Sequence, residues 1–508
     1  MKAMVKAALI GSLAAGALVL AACSPFGGAS IFNCEQDSQC APSGTCKMPE
    51  GLCTFPNGSC ASGQSYGEHS GSMSGKCVGD EMMVDAAIDA PTMCTPNEKS
   101  CFNHAVETCR ATGDGFDPAQ REPCAITCST TGTPACVGAA TNIDLNDQRM
   151  CNANGMAPAL SPATGATIVI GQTDITCAPM CNASGTTTIA RTAMTPNNFF
   201  CLSALNIPAG VTITVAAGAT ASVTLFSHGA AVINSNITFD GADATGVLDT
   251  NMANDVAGVG GPGGFTGGAI VANDTNGNPG GGPMTCGGRG GTNTGTGAGG
   301  IGGGGGGGGN HSVGGDGGDG INGATGGAGG TITGCSTPEL RPLAGGAGGG
   351  GGADGACGAG VPCGWPGGGG GGALHVVSRS MISGTATISA SGGAGFGEGT
   401  QAGGGGGGGA GGGILFEAPM VNFTGTLRVN GGAGGRSQSQ AAGGLGATGG
   451  TANGGGGTNA VAVGGGPGGG GAGGRIRLNA NNATAASCTA ANASPSATCT
   501  AGALRATP

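Results

Sequence analysis

Residues 302–330, "GGGGGGGGNHSVGGDGGDGINGATGGAGG", begin with eight consecutive glycines and continue with glycine pairs spaced three apart. The stretch can be a disordered linker, a calcium-binding repeat or part of a folded body. Glycine loses more conformational freedom on ordering than any other residue, so composition alone favours disorder. Position favours packing, because strand-like text bounds the glycine tracts on both sides. Cys286, Cys335, Cys357 and Cys363 sit inside the glycine-rich region and would cross-link otherwise weak loops. Gly-Gly-x segments can form extended helices of three residues per turn. With no Cβ at two positions in three, such helices can lie side by side and exchange backbone hydrogen bonds. Packed helices and flexible excursions are the two alternatives.

The strand-like text repeats. Residues 223–246 (VTLFSHGAAVINSNITFDGADATG), 374–395 (LHVVSRSMISGTATISASGGAG) and 414–434 (ILFEAPMVNFTGTLRVNGGAG) share one plan, and 473–480 (GGRIRLNA) is a partial fourth copy. Each has an apolar strand, a polar break, a second strand and a glycine-rich exit. Upstream, Val211, Ile213 and Val215 alternate with Thr212 and Thr214, the period of a strand. No copy can fold alone, so the copies must stack. The expected fold is mainly β: two small disulfide-rich modules, then a glycine-rich parallel β-helix or solenoid over 204–480. Its glycine-rich excursions are flexible or polyglycine-II-like.

The chain opens with Met1, Lys2 and Lys6, then an apolar run to Leu20, the pattern of an export signal. Residues 1–22 are read as that signal and 23–33 as a tether. Leu20-Ala21-Ala22-Cys23 resembles the lipobox of bacterial lipoproteins. The resemblance implies cleavage before Cys23 and acylation of its thiol, which would anchor the chain in a membrane. Ser24 stands where family members retained at the inner membrane carry aspartate. The implied location is the bacterial outer membrane or cell surface.

Apart from Cys23, the cysteines fall into even groups, as locally closed disulfides require. Cys34, Cys40, Cys46, Cys53, Cys60 and Cys77 lie in module 1 (34–79). Cys94, Cys101, Cys109, Cys124, Cys128 and Cys136 lie in module 2 (94–137). Cys151, Cys177, Cys181 and Cys201 lie in a connector (138–203). Cys286, Cys335, Cys357 and Cys363 lie in the glycine-rich region, and Cys488 and Cys499 in a tail (481–508). An acidic Ala/Pro linker, 80–93, separates the modules. The spacing leaves the pairing open. Zinc at Cys124/Cys128 or Cys177/Cys181 is disfavoured by export and the lack of nearby histidines.

The segment Cys53 to Gly67, "CTFPNGSCASGQSYG", resembles a cysteine-rich motif near the N-termini of exported myxobacterial proteins, and "CFNHAVETCRATGDGF" a motif of their surface proteins. The glycine tracts ending in strands, such as "GGAGGRIRL", resemble β-helical repeat regions of bacterial surface proteins. The chain thus resembles a myxobacterial-type cysteine-rich surface lipoprotein with a glycine-rich β-helical region. In that setting the modules would form a stalk near the membrane.

Catalytic constellations are scarce. A formal charge of −10 argues against nucleic acid as a partner. After Glu122 the only glutamates are Glu339, Glu398 and Glu417, and His69, His104, His228, His311 and His375 are scattered. Asp240 and Asp243 are the closest acidic pair at a strand end, and a solvated turn explains them better than a glycosidase dyad. His104, Glu107 and Asp114 are polar residues on a small scaffold. "GGDGGDGIN" (314–322) matches one calcium nonapeptide, with Asp319 and Ile321 at its key positions, but calcium sites of this kind need a tandem array. No Gly-Lys-Ser/Thr phosphate loop occurs. No cofactor, metal or reaction is assigned. The expected role is structural or adhesive, with the membrane and extracellular polysaccharide or other surface proteins as partners. A glycan-binding module and a polysaccharide-active enzyme are the alternatives.

Overall fold

The computed structural model describes residues 34, 36–40, 43–47, 51–70, 73–78, 94–102, 105–124, 126–129, 133–137, 157–178, 187–191, 198–216, 221–247, 255–270, 276–283, 285–293, 301–355, 364–398, 402–437, 442–460, 464–481, 488–489 and 492–504. The expected signal, Cys23, the linker 80–93, His104, Cys151, Cys181, Cys357 and Cys363 lie outside them. The chain divides into two compact units, Met1–Thr92 and Met93–Pro508.

In the first unit, β1 (Thr45–Lys47), β2 (Leu52–Pro56) and β3 (Gln64–Tyr66) form an antiparallel sheet. Few apolar side chains are available, so cross-links replace a core. The disulfides are Cys34–Cys46, Cys40–Cys53 and Cys60–Cys77.

The second unit is built on parallel sheets. The first contains β12 (Asn198–Leu202), β15 (Val223–Ser227), β18 (Ala373–Ser378), β21 (Gly413–Glu417), β24 (Arg475–Asn479) and β26 (Cys499–Gly502), in that order. A second sheet orders β13 (Leu205–Ile207), β16 (Ala231–Ile233), β19 (Met381–Gly384) and β22 (Met420–Phe423). A third orders β17 (Ile237–Thr238), β20 (Thr387–Ser389), β23 (Thr426–Arg428) and β25 (Ala493–Ser494). Each of the three full sequence repeats supplies one strand to each sheet. Register follows the repeats: Val223 pairs with Leu374, Leu374 with Ile414, and Ile414 with Ile476. Their side chains join a common core with Phe200, Leu225, Val376, Phe416 and Leu478.

Three expected boundaries move. The connector is part of the body. Its β9 (Thr167–Ile170) pairs with β10 (Asp174–Ala178), which pairs with β11 (Thr187–Ala190), and, in parallel, with β14 (Thr212–Val215), and β12 opens the long sheet. The tail supplies β25 and β26. Module 2 packs on this body rather than standing apart from it. It contains β4 (Lys99–Phe102), β5 (Ala105–Thr108), β6 (Glu122–Pro123), β7 (Thr127–Ser129) and β8 (Ala135–Val137) and closes through Cys94–Cys109, Cys101–Cys128 and Cys124–Cys136. Its Ile126 is buried against Phe199, Phe226 and Val377 on the far face of the long sheet, and Arg379 donates to the Cys124 carbonyl at 2.8 Å. Leu340 and Leu343 cover the same face at Ala373 and Leu415. Both faces of the long sheet are therefore buried, which explains its nearly continuous apolar strands. Elsewhere Cys286–Cys335 and Cys488–Cys499 are bonded, and Cys177 and Cys201 are also in disulfides.

The glycine tracts are ordered. They leave the sheets after β17, β20 and β23 and return at β18, β21 and β24. In 302–309 the hydrogen-bond direction changes at each residue and recurs every third. Gly303, Gly306 and Gly309 donate to Thr292, Arg289 and Cys286. Gly304 and Gly307 donate to Gly318 and Gly315, and Gly305 and Gly308 to Gly405 and Gly408. The carbonyls of the same tract accept with the same period. Ala353 and Gly350, Gly327 and Gly330, and Gly469 and Ala472 are the donors. A three-residue repeat with bonds in every lateral direction is an extended threefold helix packed among parallel and antiparallel neighbours. Residues 403–412 are surrounded in the same way, by tracts near 350, 368, 393, 432, 469 and 306.

Sequence text sorts the tracts. Nearly uninterrupted glycine at 302–309, 345–354, 367–372, 403–413 and 464–474 is buried throughout. Gly-Gly-x text lies at the periphery with x outward: Val313, Asp316 and Asp319 are exposed beside buried Gly315 and Gly318. An interior tract has neighbours on every side and no direction for a Cβ. A Cβ on Gly306 would lie 2.2 Å from the Ala328 carbonyl oxygen, whereas one on Gly450 would meet nothing within 4 Å. Gly306→Ala should therefore destabilise the body by about 3 kcal/mol or more, as overpacking does. Gly450→Ala should leave thermal unfolding unchanged; equal melting temperatures for the two variants would contradict the packing.

Candidate functional site

One exposed surface of the second unit is the outer layer of glycine tracts. Two of its tracts, 285–292 and 325–331, run antiparallel, with Arg289 N–H donating to Ala328 and Thr292 N–H to Thr325. Their x residues meet in register. The hydroxyls of Thr285 and Thr331 are 2.6 Å apart, as are those of Thr292 and Thr325. Arg289 and Ala328 lie between the two pairs. The result is a face on which the side chains of Thr325, Ala328 and Thr331 recur every third residue, about 9 Å apart along the tract, while on the facing tract Thr292 and Arg289 keep that period and Thr285 does not. Sequence reading missed this face, although the spacing of x in the Gly-Gly-x text was its signal.

The acidic residues serve this architecture. Outward N–H groups of peripheral tracts have no further tract to bond, and short Asp and Asn side chains accept from them instead. Asp243 Oδ1 accepts from Ala394 N–H at 2.6 Å, and Asp240 from the Ser391 amide and the Ser389 hydroxyl. Asn234 and Asn236 do the same for Thr385 and Thr387. In all four cases the amide lies 151 residues further on, so the side chains form a ladder between two successive repeats. Asp319 and Asp316 accept from Gly326 and Gly329 at 2.9 and 2.7 Å. The two aspartates of the nonapeptide-like stretch thus bridge neighbouring tracts. Asn459 in turn accepts from the Asp319 amide.

The remaining candidates are dispersed. Glu107 pairs with Arg121 at 3.3 Å, and Asp114 with Arg110 at 3.7 Å. Thr112 also donates to Asp114, which holds that carboxyl below its ordinary value even though it is exposed. His375 and Glu417 do meet, on β18 and β21, with Nε2 and Oε2 2.9 Å apart and both side chains fully buried. Asn479 donates to the other Glu417 oxygen at 2.9 Å, and Arg477 donates to Asn479 at 2.8 Å. This polar row ties three adjacent strands together beneath the cover of the long sheet. His311 lies against the Arg475 guanidinium, whose Nη1 donates to the Pro338 carbonyl. Among the described residues the only cluster with metal-ligand spacing is Cys34, Cys40 and Cys46, and all three are in disulfides.

Comparison with protein-family models, curated proteins and solved structures gives no match for this chain. Function therefore has to be argued from its own surfaces.

If Asp243 is a structural acceptor, Asp243→Ala should speed hydrogen exchange at the Ala394 amide and cost about 1 kcal/mol. Asp243→Asn, which keeps an acceptor oxygen, should do neither. A pH effect follows from His311. Burial, and then the Arg475 charge, push its pKa down to about 4. The folded state favours the neutral ring, so this contribution is present above the ordinary histidine value near 6.5. It is lost as pH falls from there toward 4, because the unfolded chain takes up the proton first. Melting temperature should fall less over that window in His311→Gln than in wild type.

Proposed function

We propose that the chain is an exported, lipid-anchored cell-surface protein with a structural or adhesive role in a surface coat, matrix or cell contact. In this reading the successive repeats are the coils of a β-solenoid, the three parallel sheets are its faces, and the glycine excursions form a polyglycine-II-type lattice on its side. The observation that carries the proposal is the lattice itself. It uses a very large glycine content to order backbone, and it presents a rigid outer layer of small and polar side chains. Such a layer suits contact with glycans or other chains. The disulfides support an oxidising, extracellular setting. Exposed proteins face proteases, and a backbone whose N–H and C=O groups are mutually bonded offers few cleavable segments.

The non-catalytic reading is supported by how the carboxylates are used. Asp240 and Asp243 accept from backbone amides of the next repeat, and Glu417 is buried with His375. The anchor rests on Cys23. Radiolabelled palmitate should attach to wild type expressed in a bacterium that processes lipoproteins, and not to Cys23→Ala. The variant should also leave the membrane fraction, and cells carrying it should lose surface display and cohesion. Equal labelling of both proteins would overturn the anchor, and unchanged cohesion would overturn the adhesive role.

A further inference from the structure

The first unit holds a groove of about 820 Å³ that none of the roles above uses. Its volume is in the range of small-ligand sites, about 300–1,000 Å³. The half-buried Phe55 and the buried Tyr66 line it, and the Cys40–Cys53 disulfide fixes β2 beneath it. Phe55 is held between two glycines. A Cβ on Gly67 would lie 2.5 Å from the ring, and one on Gly44 2.8 Å from it, so any side chain at either position would displace it. Polar groups line the rest: Gln39, Ser74, Glu68 and His69. Glu68 and His69 are exposed and have no hydrogen bond or ion pair among the described residues.

We propose that this groove binds a short oligosaccharide of free amino sugars. A pyranose ring has an apolar C–H face and a polar rim. The half-buried Phe55 ring matches the face, and the amide and hydroxyl groups match the rim. Among the described residues Glu68 is the only carboxylate lining the groove and no lysine or arginine lines it, so an anionic ligand is disfavoured and an ammonium group is favoured. An amino sugar meets both requirements, whereas an aliphatic amine meets only the second. The Cys53 to Gly67 motif thereby acquires a use for its phenylalanine, tyrosine and final glycine. The site is independent of the surface role proposed above, since its ligand leaves palmitate attachment unaffected.

The test is calorimetric titration of the full mature chain with three probes: a glucosamine tetramer, its fully N-acetylated counterpart and spermine. The glucosamine tetramer should bind more tightly than either of the others. Glu68→Gln, on an exposed side chain that folding does not need, should weaken it about threefold, the worth of one exposed ion pair. The acetylated tetramer should not respond to that substitution. Phe55→Leu should weaken both sugars about tenfold through the lost ring face. Absence of binding by the glucosamine tetramer would overturn the proposal. So would spermine binding as tightly as the sugar, because charge alone would then suffice. Binding unchanged in Glu68→Gln would overturn it even if Phe55→Leu failed to fold.

Discussion

The body of this protein depends on lateral hydrogen bonds between backbones that approach too closely for a Cβ. Residues 302–309 donate in three directions and accept from three others, so every turn is tied to tracts from different parts of the chain. Its partners at 405–408 and 469–472 belong to excursions that leave the sheets after β20 and β23. No excursion can therefore order by itself. Ordering a residue costs about 1–2 kcal/mol in backbone entropy, and glycine is at the upper end. Isolated glycine tracts would stay disordered at that cost. Attached to a stack of sheets that already fixes their ends, they lose less on ordering and gain bonds on all sides. Asn310 shows the same dependence in a side chain, donating to the Gly411 carbonyl, 101 residues away.

A lattice of this kind has an edge problem similar to that of an open sheet. Outer tracts expose N–H groups at a regular period, a template for unwanted pairing. Asp and Asn at outward positions meet it by accepting those groups, and their short side chains reach the adjacent tract without leaving the surface. Carboxylates thereby hold fixed structural positions, which accounts for acidic text in a region without catalytic clustering. Lysine cannot accept a hydrogen bond, and none occurs after Lys99.

Much of the architecture was legible in the sequence, and the reasons differ by element. The repeats at 223, 374 and 414 were visible because strand periodicity and the glycine exit recur together, and they occupy equivalent places in all three sheets. The cysteine groups were visible because in modules 1 and 2 each pair closes locally. The opening of the long sheet at Asn198 and its closure by β26 were hidden, since the partners of β12 and β26 lie in other repeats. The packing of Ile126 against Phe226 was hidden for the same reason: one apolar residue in a small module does not reveal what it covers. The distinction between interior and outer tracts was present as text, in runs of glycine against Gly-Gly-x. Which tract bonds which was not, because glycine carries no side chain to specify a partner.

That lack of side-chain specificity has a consequence for function. In most proteins the residues that form the core also constrain what the surface can carry. Here interior stability comes from backbone groups that every residue possesses, and the requirement on sequence is mainly the absence of a Cβ. The outward x positions are largely released from packing, apart from the Asp and Asn acceptors. Val313, Thr325 and Ala328 show that aliphatic, hydroxyl and small side chains are all accommodated on the same layer. A scaffold built this way separates the chemistry it presents from the forces that hold it. Surface identity can then be altered at every third residue while the lattice beneath is conserved by glycine alone.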